Sequence, residues 1–558
     1  MNQTDPLTLA LTGQMPFILI AAAILALPVS FILLWLYRRA VIKSMLRSSA
    51  EGMQLKPGST DLNKQATRLK VKIVEARQAA PCASTCADFL SKLQFYCWKN
   101  ALIYAKAGTA FTSVMTAAVL LSGTSDFFLI RTILVFWVYA WPIVLTLNLL
   151  AATARKQLVF TSGGYFAVFI VLIVLAQLTG NDSSSSQIIQ LWAITNLPPT
   201  VLILAFLARP VRAVGPMVLS FMIIALTGSV IAMLVVGSSD EAMRIISAAA
   251  FDLGLQASGT FMLILIMGFM LFAIIGWLVV RLIRKGYQSG KLTDQSMTVD
   301  AMWILFAVVQ STGLVFEGAG WILSGVFAFI AYKIVIKHGF KVLSLKTEAQ
   351  NTRLLLLRVF SLGKRSEQLF NAITKHWRSV GSVQLISGPD LATTTVEPHE
   401  FIDFLSGKLS RQFIASQQQL DQRLSGLDTP QDFDGRYRVN DFFCFDNTWE
   451  AVLSQLVSST NAVVMDLRGF SSSQSGCIRE LYELVNVAPL HRVVLVVDNT
   501  TDLAFLRQLL QQSWQNIHRE SPNFKTDNAE ILLFTLSDLA AATLANLLSW
   551  LSRAATTK

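Results

Sequence analysis

The chain has 558 residues, of which 53% are hydrophobic and 15% charged, with a formal net charge of +11. That apolar fraction excludes an ordinary soluble protein and fits a polytopic membrane protein. Much of the basic excess flanks apolar runs, where lysine and arginine mark cytoplasmic loops, so nucleic acid is not an expected partner and the lipid bilayer is.

The first apolar run, Pro16–Tyr37, follows a stretch without Lys or Arg and ends at Arg38 and Arg39. A cleaved signal peptide carries its charge before the apolar core. Residues 1–37 therefore read as an uncleaved anchor with its N-terminus outside. Residues 38–101 form a basic cytoplasmic segment. Its middle, Leu62 to Ala80, has helix-forming composition and reads as a helical connection, either lying on acidic lipid or solvated.

Residues 102–340 read as a multi-span domain. Its runs are Ala107–Leu121, Phe127–Ala151, Leu158–Leu178, Ile188–Leu207, Val214–Val236, Thr260–Val280, Ala301–Phe316 and Gly320–Ile336. With the first run they make about nine spans of the roughly 20 residues a bilayer requires. Arg155, Lys156, Arg209, Arg212, Arg281, Arg284, Lys285, Lys333, Lys337 and Lys341 all fall on one side, and the opposite loops carry only Arg244. An odd span count with this asymmetry puts the C-terminus in the cytosol of a bacterial inner-membrane protein. The short turn Glu317–Gly320 leaves open whether the 301–336 hairpin crosses fully.

The spans are nearly free of acids and bases, which argues against a coupled transporter. Lys106 and Arg131 lie near span ends, where snorkelling explains them. Asn196-Leu197-Pro198-Pro199 is expected to break or kink its span near the middle, a kink being the commoner outcome. Trp137, Tyr139 and Trp141 either line a cavity or, more commonly for aromatics in spans, serve as packing or interface anchors. Ala242–Asp252 reads as a helix on the membrane surface. The five cysteines, Cys82, Cys86, Cys97, Cys444 and Cys477, form no disulfide framework. No histidine or paired CxxC completes a metal set around the first three, so no metal site is expected.

Residues 351–558 change character. Short apolar runs alternate with helical segments: strands Leu354–Phe360, Ser382–Gly388, Tyr437–Cys444, Ala462–Leu467, Arg492–Asp498 and Ile531–Thr535, and helices Ser366–Arg378, Glu400–Gln417, Asn447–Ser458, Gly476–Val487, Leu503–Ile517 and Leu539–Arg553. Continuous apolar strands suit a parallel sheet covered on both faces. The expectation is an open-sheet, Rossmann-like α/β domain of about two hundred residues, with Gln417–Asp434 as an inserted loop. Neither GxGxxG nor GxxxxGK[ST] follows any strand, which excludes a P-loop or dinucleotide-fold phosphate site.

Ligands in such sheets bind beyond the C-terminal strand ends. Asp441, Asp466, Arg468 and Asp498 lie at or near those ends and are the binding candidates, although most such Asp residues are helix caps or turn formers. Asn447-Thr448-Trp449-Glu450 reads as a variant capping box. Cys477 near a helix start is expected to be a buried structural thiol, and His376 and His491 build no nucleophilic arrangement.

The segment Val463–Leu481 runs from an apolar strand through a Ser-rich turn into Ser475-Gly476-Cys477-Ile478-Arg479-Glu480-Leu481. It resembles the Toll/interleukin-1 receptor (TIR) domain family, whose corresponding helix opens with a Ser-x-Trp-Cys-x-x-Glu-Leu pattern. Ser475, Cys477, Glu480 and Leu481 match in kind. Gly476 stands in place of the family's Trp, and the serine is one residue closer to the cysteine. Leu356–Lys364 with Arg365-Ser366-Glu367 loosely matches the first TIR strand and loop. The resemblance covers Leu354–Thr535 in outline, and implies a cytoplasmic TIR-like module that signals or assembles by self-association. The chain as a whole also resembles multi-span bacterial membrane proteins with a cytoplasmic α/β tail.

In NAD-cleaving members of the family the helix glutamate stabilises the ribose as the nicotinamide bond breaks. The resemblance places that catalytic role on Glu480, beside Ser475, with NAD as substrate. A carboxylate near a developing oxocarbenium charge supplies the required stabilisation. Alternatively Glu480 meets the helix dipole, or pairs with Arg479 or Arg468. Two further readings stand beside signalling or assembly: a membrane-attached NAD-cleaving effector, and a transporter or channel with a regulatory tail.

Overall fold

The computed structural model describes residues 6–46, 69–75, 77–78, 84–123, 129–151, 155–179, 185–206, 214–237, 239–314, 317, 319–343, 352–358, 364–387, 398–427, 431–445, 447–526 and 529–556. The chain folds as two compact units. One comprises Met1–Trp35, Trp98–Leu345 and Glu397–Phe401, and the other Leu36–Cys97, Lys346–Val396 and Ile402–Lys558.

The first unit is helical. Its helices are α1 (Pro6–Met45), α2 (Ser84–Ser122), α3 (Leu129–Tyr139), α4 (Trp141–Ala151), α5 (Arg155–Leu178), α6 (Ser185–Phe206), α7 (Gly215–Gly237), α8 (Asp240–Asp252), α9 (Ala257–Gln288), α10 (Asp294–Leu314) and α11 (Leu323–Leu343), of which α1 and α2 begin or end in the other unit. Among the described residues eight segments are long and apolar enough to cross a membrane. They include Trp98–Ser122 at mean hydropathy 1.2 and Ala257–Tyr287 at 2.8. α10, which carries Asp294 and Asp300, is not among the eight. Large apolar side chains stay exposed on these helices, among them Val159, Phe160 and Ile170 on α5 and Met262, Met270 and Ile274 on α9. An apolar surface of that extent suits lipid and not water.

The 127–151 run is two helices, interrupted at Ala140. Pro142 has no amide to donate and opens the second helix instead of continuing the first. Pro198 and Pro199 do not break α6, and the helix runs through both. The Thr200 hydroxyl donates to the Asn196 carbonyl at 2.5 Å, and the Asn196 amide donates to Val138 O at 3.0 Å. Side chains and a neighbouring helix thus supply hydrogen bonds around the proline step. α7 and α9 pack at close range: a Cβ on Gly228 would lie 2.2 Å from Phe272, and one on Gly268 2.6 Å from the Gly228 carbonyl. Small residues at such contacts let apolar helices associate without a hydrophobic driving force. Trp137 stacks on Tyr165 at 5.3 Å, and Trp141 meets Tyr165, Phe166 and Trp192, so these aromatics are packing. Ala242–Asp252 is helical as expected, within α8, capped by Ser239, with Met243, Ile245 and Phe251 exposed.

The second unit is built on an eight-stranded parallel sheet. Its strands are β1 (Lys70–Glu75), β2 (Leu354–Arg358), β3 (Val383–Ser387), β4 (Phe413–Ile414), β5 (Val439–Cys444), β6 (Ala462–Asp466), β7 (Val493–Val497) and β8 (Glu530–Thr535), in the order β1-β8-β7-β6-β2-β3-β5-β4. Its helices are α12 (Lys364–Trp377), α13 (Pro398–Leu405), α14 (Gln417–Ser425), α15 (Trp449–Ser459), α16 (Ser475–Val487), α17 (Leu503–Gln515) and α18 (Ala541–Thr556), and α13 shares residues with the first unit. Successive strand residues point to opposite faces. On one face Leu355, Val463, Met465 and Leu495 pack under α15, α16 and α17. On the other Leu354, Leu356, Val464 and Val496 pack under α12 and α18.

Four expectations are corrected here. Lys70–Glu75, within the segment expected to be helical, is an edge strand paired in parallel with β8 from Lys70↔Glu530 to Glu75↔Thr535. Val71, Ile73 and Val74 are β-branched and favour a pleated surface, and β8 supplies the unpaired edge. The expected helix Glu400–Gln417 is broken: α13 ends at Leu405, and Phe413 and Ile414 pair with Phe443 and Cys444. The expected loop Gln417–Asp434 contains α14, whose N-cap Ser416 accepts from the Gln419 amide. The Asn447 capping box does not form either, because Thr448 is the residue before the first helical turn and its hydroxyl donates to Ile414 O at 3.0 Å.

Candidate functional site

β2 has β3 on one side and β6 on the other, so strand order reverses at this point. The helix following β2 lies on one face and the helix following β6 on the opposite face. The two connections therefore leave the sheet toward opposite faces at this point. In open parallel sheets this is where ligands bind.

Asp466 ends β6 and is fully buried. It accepts from Arg468 Nε at 2.8 Å on one oxygen, and from the second guanidinium nitrogen at 2.7 Å and the Ser366 hydroxyl at 2.7 Å on the other. The Arg468 guanidinium also donates to the Arg365 carbonyl at 2.9 Å. One carboxylate therefore fixes the β6 turn and the first turn of α12 together. The turn needs Gly469, whose φ of 70° lies in the left-handed region that side chains disfavour.

Asp498 follows β7. It pairs with the Arg365 guanidinium and accepts from the Thr500 hydroxyl at 2.6 Å and the Thr500 amide at 2.9 Å. Burial pulls the Asp498 carboxyl upward, but the bonds from Thr500 and then Arg365 together hold it below the usual carboxylate range. Thr501 donates to Leu467 O at 3.0 Å and ties the β7 loop to the β6 turn. After β8, Asp538 accepts from the Ala540 amide at 2.9 Å and the Thr543 hydroxyl at 2.8 Å, which holds its carboxyl low as well.

These loops surround a cleft of about 570 Å³ lined by Arg365, Gln368, Arg468, Asp498, Asn499 and Thr535 to Leu539. Of the expected candidates, Arg468 and Asp498 line it, and Asp466 lies buried behind Arg468. Ser475 opens α16 and Asp441 is buried within β5, opposite Leu385 of β3; neither lines the cleft. Glu480 is 4% exposed on α16 and does not line it either. The two arginines considered as its partners are engaged elsewhere: Arg479 pairs with Glu450 at 2.9 Å and Arg468 with Asp466. Arg365, Gln368, Asn499 and Asp538 were not among the sequence candidates. Arg365 appears in the sequence only in Arg365-Ser366-Glu367, the loose match to the first TIR strand and loop.

The cleft has the chemistry of a binding site. Both inner carboxylates are already matched by guanidinium groups, so neither is poised as a general acid or base. Arg365 is the adjustable member, its side chain 49% exposed while that of Asp498 is 7%. Among the described residues no group of three His, Cys, Asp or Glu could hold a metal. Cys444 and Cys477 are buried free thiols, and burial pushes Cys444 up to about 12. Cys82 lies outside the described residues.

The chain matches no protein-family model, no curated protein and no solved structure.

Proposed function

We propose that the chain is a bacterial inner-membrane protein whose α/β unit is a cytoplasmic TIR-like module, working in signalling or assembly through the cleft at the strand-order reversal. The observation that carries this reading is the Arg365–Asp498 ion pair across the cleft. A half-exposed guanidinium held by a buried carboxylate is a latch: an anionic ligand group competes for Arg365 and frees the β7 loop. The five central strands, in the order β3-β2-β6-β7-β8, have the arrangement of flavodoxin-type sheets, second-first-third-fourth-fifth. That order supports the TIR resemblance carried by Ser475 to Leu481. The basic flanks of the spans support the cytoplasmic placement.

The position of Glu480 favours binding over NAD cleavage, since a carboxylate must face the reacting ribose to stabilise it. The test uses the full chain in detergent at high concentration, incubated with NAD, with cross-linking as a second readout. The reading expects concentration-dependent oligomers that Arg365→Ala alters, and no nicotinamide release. Nicotinamide release abolished by Glu480→Ala would replace it with the effector reading.

A further inference from the structure

The helical unit contains a pair that the apolar pattern of the spans hides. Lys333 Nζ on α11 lies 2.6 Å from Asp300 Oδ2 on α10. Lys333 falls at the middle of the 20-residue segment Leu323–Val342, one of the eight able to cross a membrane. The helical unit, whose spans are nearly free of acids and bases in sequence, therefore holds a charge pair between α10 and α11. In sequence, Lys333 stands among the basic residues flanking the spans, and Asp300 directly precedes the apolar run Ala301–Phe316.

Removing such a pair from water costs several kcal/mol per ion before their attraction repays it, and apolar residues would hold two helices at least as well. An acid paired with a lysine at the middle of a segment able to cross a membrane therefore calls for a function. The pair is asymmetric: the Asp300 side chain is 12% exposed and that of Lys333 36%. Asp300 Oδ1 and the Tyr332 hydroxyl are both buried without a well-formed hydrogen bond. Tyr332 faces Asp300, and Tyr104 of α2 faces Tyr332. α4, α6 and α7 also pack against α10 and contain no titratable residue. Among the described residues, the groups that act on this acid are the Lys333 ammonium and the Tyr332 phenol, with the Tyr104 phenol beyond Tyr332.

We propose that Asp300 is a proton-binding site of the membrane-spanning unit, loaded through Lys333. The Lys333 ammonium passes a proton to the Asp300 carboxylate, forming the O–H bond of a neutral acid. The lysine is re-protonated from the aqueous side and turns outward with its charge. One proton is taken up, no electrons move, and the ionic tie between α10 and α11 is lost, leaving the contact of Trp303 with Tyr332, whose rings lie 5.2 Å apart, to hold the two helices. The site gives this unit a proton-dependent change of helix contact, independent of the cleft in the α/β unit.

The test is infrared difference spectroscopy on the full chain in lipid vesicles, between about pH 8 and about pH 5. A carboxylic-acid band of apolar environment is expected to appear on acidification, to be missing in Asp300→Asn, and to be retained in Asp300→Glu. In Lys333→Met the carboxylate has lost its counter-charge, and the band is expected at a pH higher by at least about one unit. A band unchanged by Asp300→Asn overturns the proposal. So does a wild-type spectrum without the band together with a Lys333→Met spectrum that does not change with pH, because the pair would then be a brace only.

Discussion

Arg468 lays its guanidinium across both carboxylate oxygens of Asp466, two residues earlier in the chain, at 2.8 and 2.7 Å. Both side chains are almost fully withdrawn from solvent, and Ser366 and the Arg365 carbonyl complete their hydrogen bonding. The pair joins the ends of two adjacent strands at the point where the sheet order reverses.

Asp466→Ala leaves a buried guanidinium without its counter-charge. The expected cost is roughly 3–5 kcal/mol. The double variant Asp466→Ala with Arg468→Met is expected to recover part of this loss, since no charge then remains buried. Thermal unfolding of the full chain in detergent ranks the three proteins. Equal loss in the single and double variants would show that the pair does not act as a unit.

Arg365→Ala acts on an exposed partner and is expected to change stability by no more than about 1 kcal/mol. Its effect is local. Without the guanidinium, the Asp498 to Asp502 loop keeps its Thr500 and Thr501 bonds but loses the tie to α12. Hydrogen exchange of that loop is expected to speed up while β7 stays protected. Unchanged exchange in the loop would remove the latch.

The edge strand β1 has an alternating pattern that separates two neighbouring residues. Val74 is 1% exposed and packs in the same core as Phe534 and Trp550, whereas Ile73 is 42% exposed. Val74→Asp buries an unpaired charge and is expected to lower the unfolding temperature strongly; Ile73→Asp falls within about 0.5 kcal/mol of the parent. Similar effects from the two would contradict the register Lys70↔Glu530.

His376 gives the pH dependence. Burial, then the nearby Lys375 and Arg436, lowers its imidazole from 6.5 to about 4. The unfolded chain therefore binds the proton more tightly than the folded one. This contribution to stability is present above about pH 6.5 and is lost as pH falls toward about 4. His376→Gln is expected to flatten the stability profile across that window, as read by unfolding temperature at a series of pH values. A profile as steep as the parent's would assign the acid sensitivity to other groups.

The α/β character of residues 351–558 was legible because its signals are local. Val493 to Val497 is a continuous apolar run, and Leu506, Leu509 and Leu510 recur at helical spacing, so each element declares itself within a short window. Where a local signal competed with a distant partner it failed. Phe413 and Ile414 sit in a segment of helical composition and became a strand because β5 offered them an edge. The site was half legible for the same reason. Asp466, Arg468 and Asp498 stand at strand ends that sequence can find, whereas Arg365 gains its meaning from an acid 133 positions away.

Sequence alone determined the change of solvent along the chain: long apolar runs before residue 340, strand-length runs after it. That is a matter of composition and period, which each stretch carries by itself. Only the tertiary structure decided that Lys70–Glu75 joins the sheet, anchored by Trp550 donating to the carbonyl of Gln78 across 472 positions. It also decided that the start of α12 meets the loops after β6, β7 and β8 around a cleft, and that Asp300 meets Lys333 inside the helical unit. Each is a pairing between distant segments, fixed by strand register and helix packing, which no local pattern encodes.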